Sequence, residues 1–248
     1  MKTEYLKSLQ QFVEDAPLSS FSMEDKGYST DKDANDFVFG NPFAFICGLI
    51  FDQSIKSSLA WSAPYELSKR LGHLCPHSIK DMPEDSLTEI IATKPSLHRY
   101  PRPMARNLIK SSQLLVDKYE GKVEQLWSEG LASKDVKKNL LTLAGVGEKK
   151  ANLALTFLYH DFNIAFTDLS GGGLALDVHL NRVLTRSGYF KVKTKDEIND
   201  TNKGFSDFFG DNYSTVGSHL WLIGRKFCHE KNPDCFFCPL SEHCNKQY

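Results

Sequence analysis

Four cysteines close to the carboxyl end constrain this chain more than any other feature. Cys228, Cys235, Cys238 and Cys244 form a C-x6-C-x2-C-x5-C series. Four thiolates held together can close a tetrahedral zinc site or carry a [4Fe–4S] cluster, and the spacing alone leaves both open. Disulfides fit less well. The amino-terminal stretch MKTEYLKSLQQFVEDA is polar, with Leu6, Leu9, Phe12 and Val13 at helical spacing rather than in the apolar core of a signal peptide. No transmembrane run is visible, so the chain reads as intracellular, where clustered thiols serve metals. Cys47 and Cys75 stand apart and read as buried apolar thiols.

A second pattern occupies residues 143–182. Gly145-Val146-Gly147 follows an apolar run and precedes Ala151, Leu153, Ala154, Leu155 and Leu158. This spacing predicts a tight turn opening an amphipathic helix. Glycines there let the backbone approach a ligand, and the free N–H groups of a helix start suit a phosphate. Lys149 and Lys150 fall in the first turn. Asp177 follows the loop of Gly171, Gly172 and Gly173 and opens another helical pattern, where Asp is a good N-cap.

The net charge of −1 does not advertise a nucleic-acid partner, but the charge is unevenly spread. Residues 1–40 hold eight acids against four bases, and residues 94–150 hold twelve bases against six acids. Residues 94–110 carry five bases and no acid, a stripe able to meet phosphates.

The rest reads as all-α. Residues 1–16 suit an amphipathic helix and 17–40 a polar loop. Asn41-Pro42 opens a buried helix through PFAFICGLIFDQ. One or two short helices follow, with a break at Pro64, and a turn at residues 82–87 leads into another. Pro95, Pro101 and Pro103 keep PSLHRYPRPMARNL from continuous helix. Met104, Leu108, Leu115 and Tyr119 then recur at helical spacing, followed by short segments at residues 123–127 and 136–143. Neither strand alternation nor a solenoid repeat is present.

LAGVGEKKA resembles the helix–hairpin–helix of the HhH-GPD DNA glycosylases, and DVHLNRV is similar to the segment carrying their catalytic aspartate. The cysteine series, with LWLIGRKFC before it, resembles the endonuclease III branch. The resemblance implies an all-α, two-domain fold. A six-helix barrel with the hairpin would span 40–160, and 1–39 with 161–248 would form an iron–sulfur cluster domain. It implies a [4Fe–4S] cluster on Cys228, Cys235, Cys238 and Cys244, in a structural and DNA-positioning role, with zinc as the rival. The implied partner is duplex DNA bearing a damaged base or abasic site, bound by a monomer without a membrane. The implied location is with the DNA: the nucleoid in a prokaryote, otherwise inside the cell.

The resemblance also implies roles for single residues. Gln53 would fill the gap left by an extruded base. Leu97, His98 or Tyr100 would wedge into the duplex while Arg102 holds phosphate. Gly145, Gly147 and Lys150 would bind backbone phosphate. Lys149 holds the place of the lysine nucleophile of bifunctional members, and Asp177 that of the carboxylate. Asp168, in the long loop FTDLSGGGLALD, is a rival carboxylate. Either lysine amine must be neutral to attack, and burial, a second ammonium and a helix start each favour that. The implied activity is a base excision DNA glycosylase with AP lyase chemistry. A monofunctional glycosylase using water, or a non-catalytic damage-binding protein, remains as an alternative. The DQS and LHRYP wording is also similar to a less characterised group of HhH-GPD repair proteins, which leaves the target base open.

Overall fold

The computed structural model describes residues 1–210 and 213–247. Every regular element among them is helical. In chain order the α-helices are α1 (Lys2–Asp15), α2 (Lys32–Gly40), α3 (Pro42–Phe51), α4 (Ser57–Leu71), α5 (Pro76–Ile79) and α6 (Glu84–Ala92). There follow α7 (Pro101–Tyr119), α8 (Ser133–Leu140), α9 (Glu148–His160), α10 (Val178–Ser187), α11 (Lys195–Phe209) and α12 (Tyr213–Lys226). No single helix among the described residues is long and apolar enough to cross a membrane.

α3 is the post of the first core. The Asn41 side-chain oxygen accepts the Phe43 and Ala44 amides at 2.9 and 3.1 Å, and Pro42 takes the first helical position, where no N–H is needed. Every later residue of the helix is buried. Gly48 lets α4 approach: Trp61 lies over it and stacks on Phe45, with Tyr28 and Phe157 edge-on.

Two local expectations are corrected and a third is refined. Residues 32–40 form α2 rather than loop, because Asp31 caps it by accepting the Asp33 and Ala34 amides and because Ala34 and Val38 find an apolar surface. α4 runs unbroken through Pro64, whose ring is buried beside Ala60, Trp61 and Leu67. That packing outweighs the lost backbone bond, a cost of about 3 kcal/mol. Residues 95–108 are not a continuous helix, as expected, since 95–100 lie outside any helix, but Pro101 and Pro103 do not themselves break one. They sit in the first turn of α7, where the N–H groups they lack would have no intrahelical partner.

Two apolar cores result. The first gathers Tyr28, Val38 and the inner faces of α3 to α9, with Phe162, Ile164 and Phe166 at its margin. The second joins Tyr5, Leu6 and Leu9 of α1 to Leu174 and the inner faces of α10 to α12, ending at Leu240. Residues 28–39 therefore side with the first core, whereas the resemblance places them in the cluster domain. At the junction, Asp161 just beyond α9 accepts from Lys26 Nζ at 2.9 Å and from the Tyr28 hydroxyl at 2.8 Å.

A methyl group at Gly48 would stand 2.6 Å from Trp61 Cε3, and the indole has no room to retreat. Although Ala favours helix by roughly 1 kcal/mol over Gly, Gly48→Ala should lower stability by about 1–3 kcal/mol through overpacking. A reduced urea midpoint at unchanged slope would show this. A raised midpoint would mean that α3 and α4 pack less tightly than described.

Candidate functional site

The turn between α8 and α9 has the expected hairpin form. Gly145 has φ +80°, and a Cβ there would strike the Asn107 side chain at 2.5 Å, so only glycine fits. Val146 is buried and donates its N–H to Leu143 O, anchoring the turn. Gly147 is the N-cap of α9; no side chain caps it, and the space a Cβ would occupy is open. The first amides of α9 thus face outward beside two exposed glycines.

The two lysines diverge, because neighbours in sequence lie about 100° apart round a helix. The Lys149 side chain is 40% exposed, and its Nζ stands 3.5 Å from Asp52 Oδ2. Lys150 is buried and donates from Nζ to Ile50 O at 2.8 Å, near the carboxyl end of α3. Burial draws its pKa down to about 8, opposed by Asp52 and assisted by Lys149. The expected phosphate contact of Lys150 is therefore corrected: its amine faces the interior.

The end of α3 and the loop before α7 meet at His98. Gln53 emerges exposed just past α3, and its carbonyl accepts from His98 Nε2 at 2.9 Å. His98 Nδ1 accepts the Tyr100 amide at 3.0 Å, so this ring is the neutral Nε2–H tautomer. Leu97 and His98 are buried, which corrects their reading as wedge residues; Tyr100 is 44% exposed, with Arg99 over its ring. The basic stripe is partly neutralised. Arg102 reaches Glu84 and Asp85 at 3.3 and 2.7 Å, and Arg106 reaches Glu84 at 3.0 Å.

Asp177 is the N-cap of α10. Its Oδ1 accepts the amides of His179 and Leu180, both at 2.9 Å, and its Oδ2 accepts Trp221 Nε1–H at 3.0 Å. Trp221, which sequence reasoning passed over inside LWLIGRKFC, is held by Arg225 over its ring, by edge-on His179 and by the close approach of Gly27. Asp168 is engaged differently: it accepts from Ser170 and Ser133 and pins its loop to the start of α8.

The four late cysteines line one cavity of about 30 Å³, together with Tyr5, Val183, Arg186, Ile223 and Leu240. Among the described residues no three His, Cys, Asp or Glu side chains are grouped as they would be round a single metal ion. Burial and the neighbouring thiols push Cys238 up to about 11, so a bound cation would have to displace its proton. The Tyr5 hydroxyl, buried beside the thiols with Ser187 as its polar neighbour, has no hydrogen bond of good geometry. A sulfur-rich occupant would give it an acceptor. Arg186 strengthens the wall, donating to His229 O at 2.6 Å and Glu230 O at 2.9 Å, with Cys228 Sγ 3.6 Å away. Cys47 is buried as expected; Cys75, at the start of α5, is only partly so.

Residues 47–206 match the family model described as HhH-GPD superfamily base excision DNA repair protein. Endonuclease III of Thermotoga maritima is 29% identical over 143 residues, 58% of this chain and 57% of the relative. The chain thus spans little more than half the length of that curated relative. A solved structure of endonuclease III trapped as a covalent intermediate with DNA shares the fold, with a TM-score of 0.70 and 21% identity, over 99% of this chain and 96% of that one. A thermostable thymine-DNA glycosylase does so with a TM-score of 0.65 and 12% identity, over 98% and 95%.

His98, His160 and His179 all have their pKa lowered from 6.5, in each case chiefly by burial. The unfolded chain binds these protons more readily, so stability should be full above pH 6.5 and fall as the pH drops below it, until the folded-state values are passed. Protonation of His98 also removes the acceptor for the Tyr100 amide. Urea melts between pH 7.5 and 5 should show the decline, and His98→Gln should flatten it; equal slopes in the two proteins would remove His98 from this role.

Proposed function

Because the chain belongs to the HhH-GPD superfamily of base excision DNA repair proteins, we propose that it is a DNA glycosylase with AP lyase activity on duplex DNA bearing a damaged base. The observation that carries this reading is Lys149, an accessible amine at the open start of α9 beside a turn that only glycine can make. It is the second residue after the second hairpin glycine, where bifunctional relatives carry their nucleophile. The helices round the first core are read as the barrel domain, and α1 with α10 to α12 as the cluster domain.

A base in a duplex must be turned out before C1′ can be reached, at a cost of a few kcal/mol. Exposed Tyr100 and Gln53 stand on the two loops that His98 joins, and they are read as wedge and gap-filler. Their insertion offsets the cost. The outward amides at Gly147 hold a backbone phosphate, which positions the strand without reading sequence. Lys149 Nζ attacks C1′, and a Schiff base permits strand cleavage by β-elimination. Positive charge develops on the sugar, and the Asp177 carboxylate, fixed by three hydrogen bonds, stabilises it electrostatically.

The thiol-lined cavity is assigned to a [4Fe–4S] cluster held by Cys228, Cys235, Cys238 and Cys244. Bound there, it supplies Fe–S bonds that pin the carboxyl-terminal segment, and base release needs no redox change. The C-x6-C-x2-C-x5-C spacing after LWLIGRKFC, which resembles the endonuclease III branch, and the unsatisfied Tyr5 hydroxyl beside the thiols support this occupant over zinc. Anaerobically purified protein should contain iron and acid-labile sulfide in equal amounts; zinc without sulfide would overturn this assignment.

End-labelled duplexes, each with one lesion, should be nicked without alkali for at least one lesion. Borohydride should trap a covalent adduct, and Lys149→Gln should abolish trapping while the brown colour stays. Breaks appearing only after hot alkali would make the protein a monofunctional glycosylase. Tight binding to abasic DNA with no breaks at all would make it a damage-binding protein.

A further inference from the structure

Asp52 follows the last residue of α3, and its side chain is only 12% exposed. Its Oδ2 lies 3.5 Å from Lys149 Nζ, and no other carboxylate among the described residues contacts that amine. The alternatives nearby are occupied. Asp177 spends both oxygens on the His179 and Leu180 amides and the Trp221 indole. Glu148, next to Lys149 in sequence, pairs with Lys137 at 2.8 Å. His98 uses both ring nitrogens on Gln53 and Tyr100. Lys150 points its amine at Ile50 O.

We propose that Asp52, and not Asp177, is the base that takes the proton from Lys149 Nζ and frees the amine for attack. This rests on Lys149 being the nucleophile. The 3.5 Å separation in the unbound protein shortens to hydrogen-bond length as DNA closes over the site, as general bases commonly do. The proton moves from Nζ to Oδ2. The lone pair so released forms the Nζ–C1′ bond while the C1′–base bond breaks. The bonding pair leaves with the base, which takes up the proton that Asp52 held. On a pre-formed abasic site the same amine adds to the C1′ aldehyde. The proton on Asp52 then departs with the carbinolamine oxygen as water, leaving the iminium. In both cases Asp52 ends as the carboxylate it began as. Asp177 keeps its three hydrogen bonds throughout and serves as a fixed negative charge beside the sugar.

The test is single-turnover borohydride trapping on a duplex with one abasic site, which needs no knowledge of the damaged base. Wild type, Asp52→Asn and Asp52→Glu are compared from pH 6 to pH 9. Asp52→Asn should trap about 10²-fold more slowly near pH 7, the usual worth of a general base. It should recover roughly tenfold per pH unit as hydroxide takes over the proton transfer. Asp52→Glu should keep most of the wild-type rate and the wild-type pH profile. Affinity for a non-reactive tetrahydrofuran site should stay within about twofold in all three, because this contact is not with DNA. A wild-type rate in Asp52→Asn, or a slower rate with an unchanged pH profile, would overturn the proposal. Should Asp52→Asn lose its brown colour or helical spectrum, Asp52→Ala with added formate replaces it. Rescue by formate supports the base role, and absence of rescue in folded protein rejects it. Wild-type protein that binds the abasic duplex but gives no adduct would reject the lysine nucleophile itself, and Asp52 with it.

Discussion

The contact on which the first half of the molecule depends is the one between Lys150 Nζ and Ile50 O. A buried ammonium is expensive, since its effective desolvation penalty amounts to several kcal/mol. Its placement at the carboxyl end of α3 recovers part of that, because the final carbonyls of a helix carry partial negative charge. Asp52 recovers more from the next turn of chain. The remainder shows as a pKa near 8. In return the start of α9 is joined to the end of α3. Three residues with proposed roles hang from that joint: Lys149 on one side, Asp52 and Gln53 on the other. Through Gln53 O the joint extends to His98 and so to Tyr100.

The second half is organised by α10. Asp177 caps its amino end, and arginines on the same helix grip the loop after Cys228. Arg182 donates to Cys228 O at 2.5 Å and to Gly224 O at 2.8 Å, while Arg186 holds His229 and Glu230. A helix is stiff over ten residues, roughly 15 Å. A cofactor that orders the thiol loop therefore orders Asp177 as well, without touching the reacting atoms. Trp221 completes the link, since α12 carries both the indole that binds Asp177 and the chain leading into Cys228. This would account for the proposed cluster in a protein whose proposed reaction transfers no electrons.

What was legible in the sequence is what local chemistry decides. Gly145 and Gly147 announce a turn because an αL backbone and an open helix start demand them. The thiol spacing announces a common site because few other uses explain four cysteines so close together. What was hidden depends on which way a side chain faces. Lys149 and Lys150 look equivalent in KK, yet one turn angle puts the first at the mouth of the site and the second under α3. Leu97 and His98 look like a projecting loop, but the chain folds back so that Leu97 N–H reaches Ile91 O and both side chains turn inward. Asp52 was passed over because an acid ending an apolar run reads as a helix terminus. Its partner, ninety-seven residues further on, comes near only when the start of α9 is brought to the end of α3.

The paired arginines bear on how a chain of net charge −1 handles a polyanion. Arg102 and Arg106 are surface residues whose partners, Glu84 and Asp85, sit at the start of α6, where acids are favoured by the helix itself. Exposed pairs of this kind are worth little, from nothing to about 1 kcal/mol each. A phosphate approaching α7 therefore displaces a carboxylate at small cost, and the acids remain stabilised by their own helix. In the free protein these two arginines present little net charge to the many undamaged phosphates around them. On the proposed reading, the charge of Arg102 and Arg106 becomes available where Tyr100 and Gln53 enter the duplex and bring a phosphate close enough to compete. Under the proposed function, that lowers non-specific affinity without weakening the contact made at a lesion.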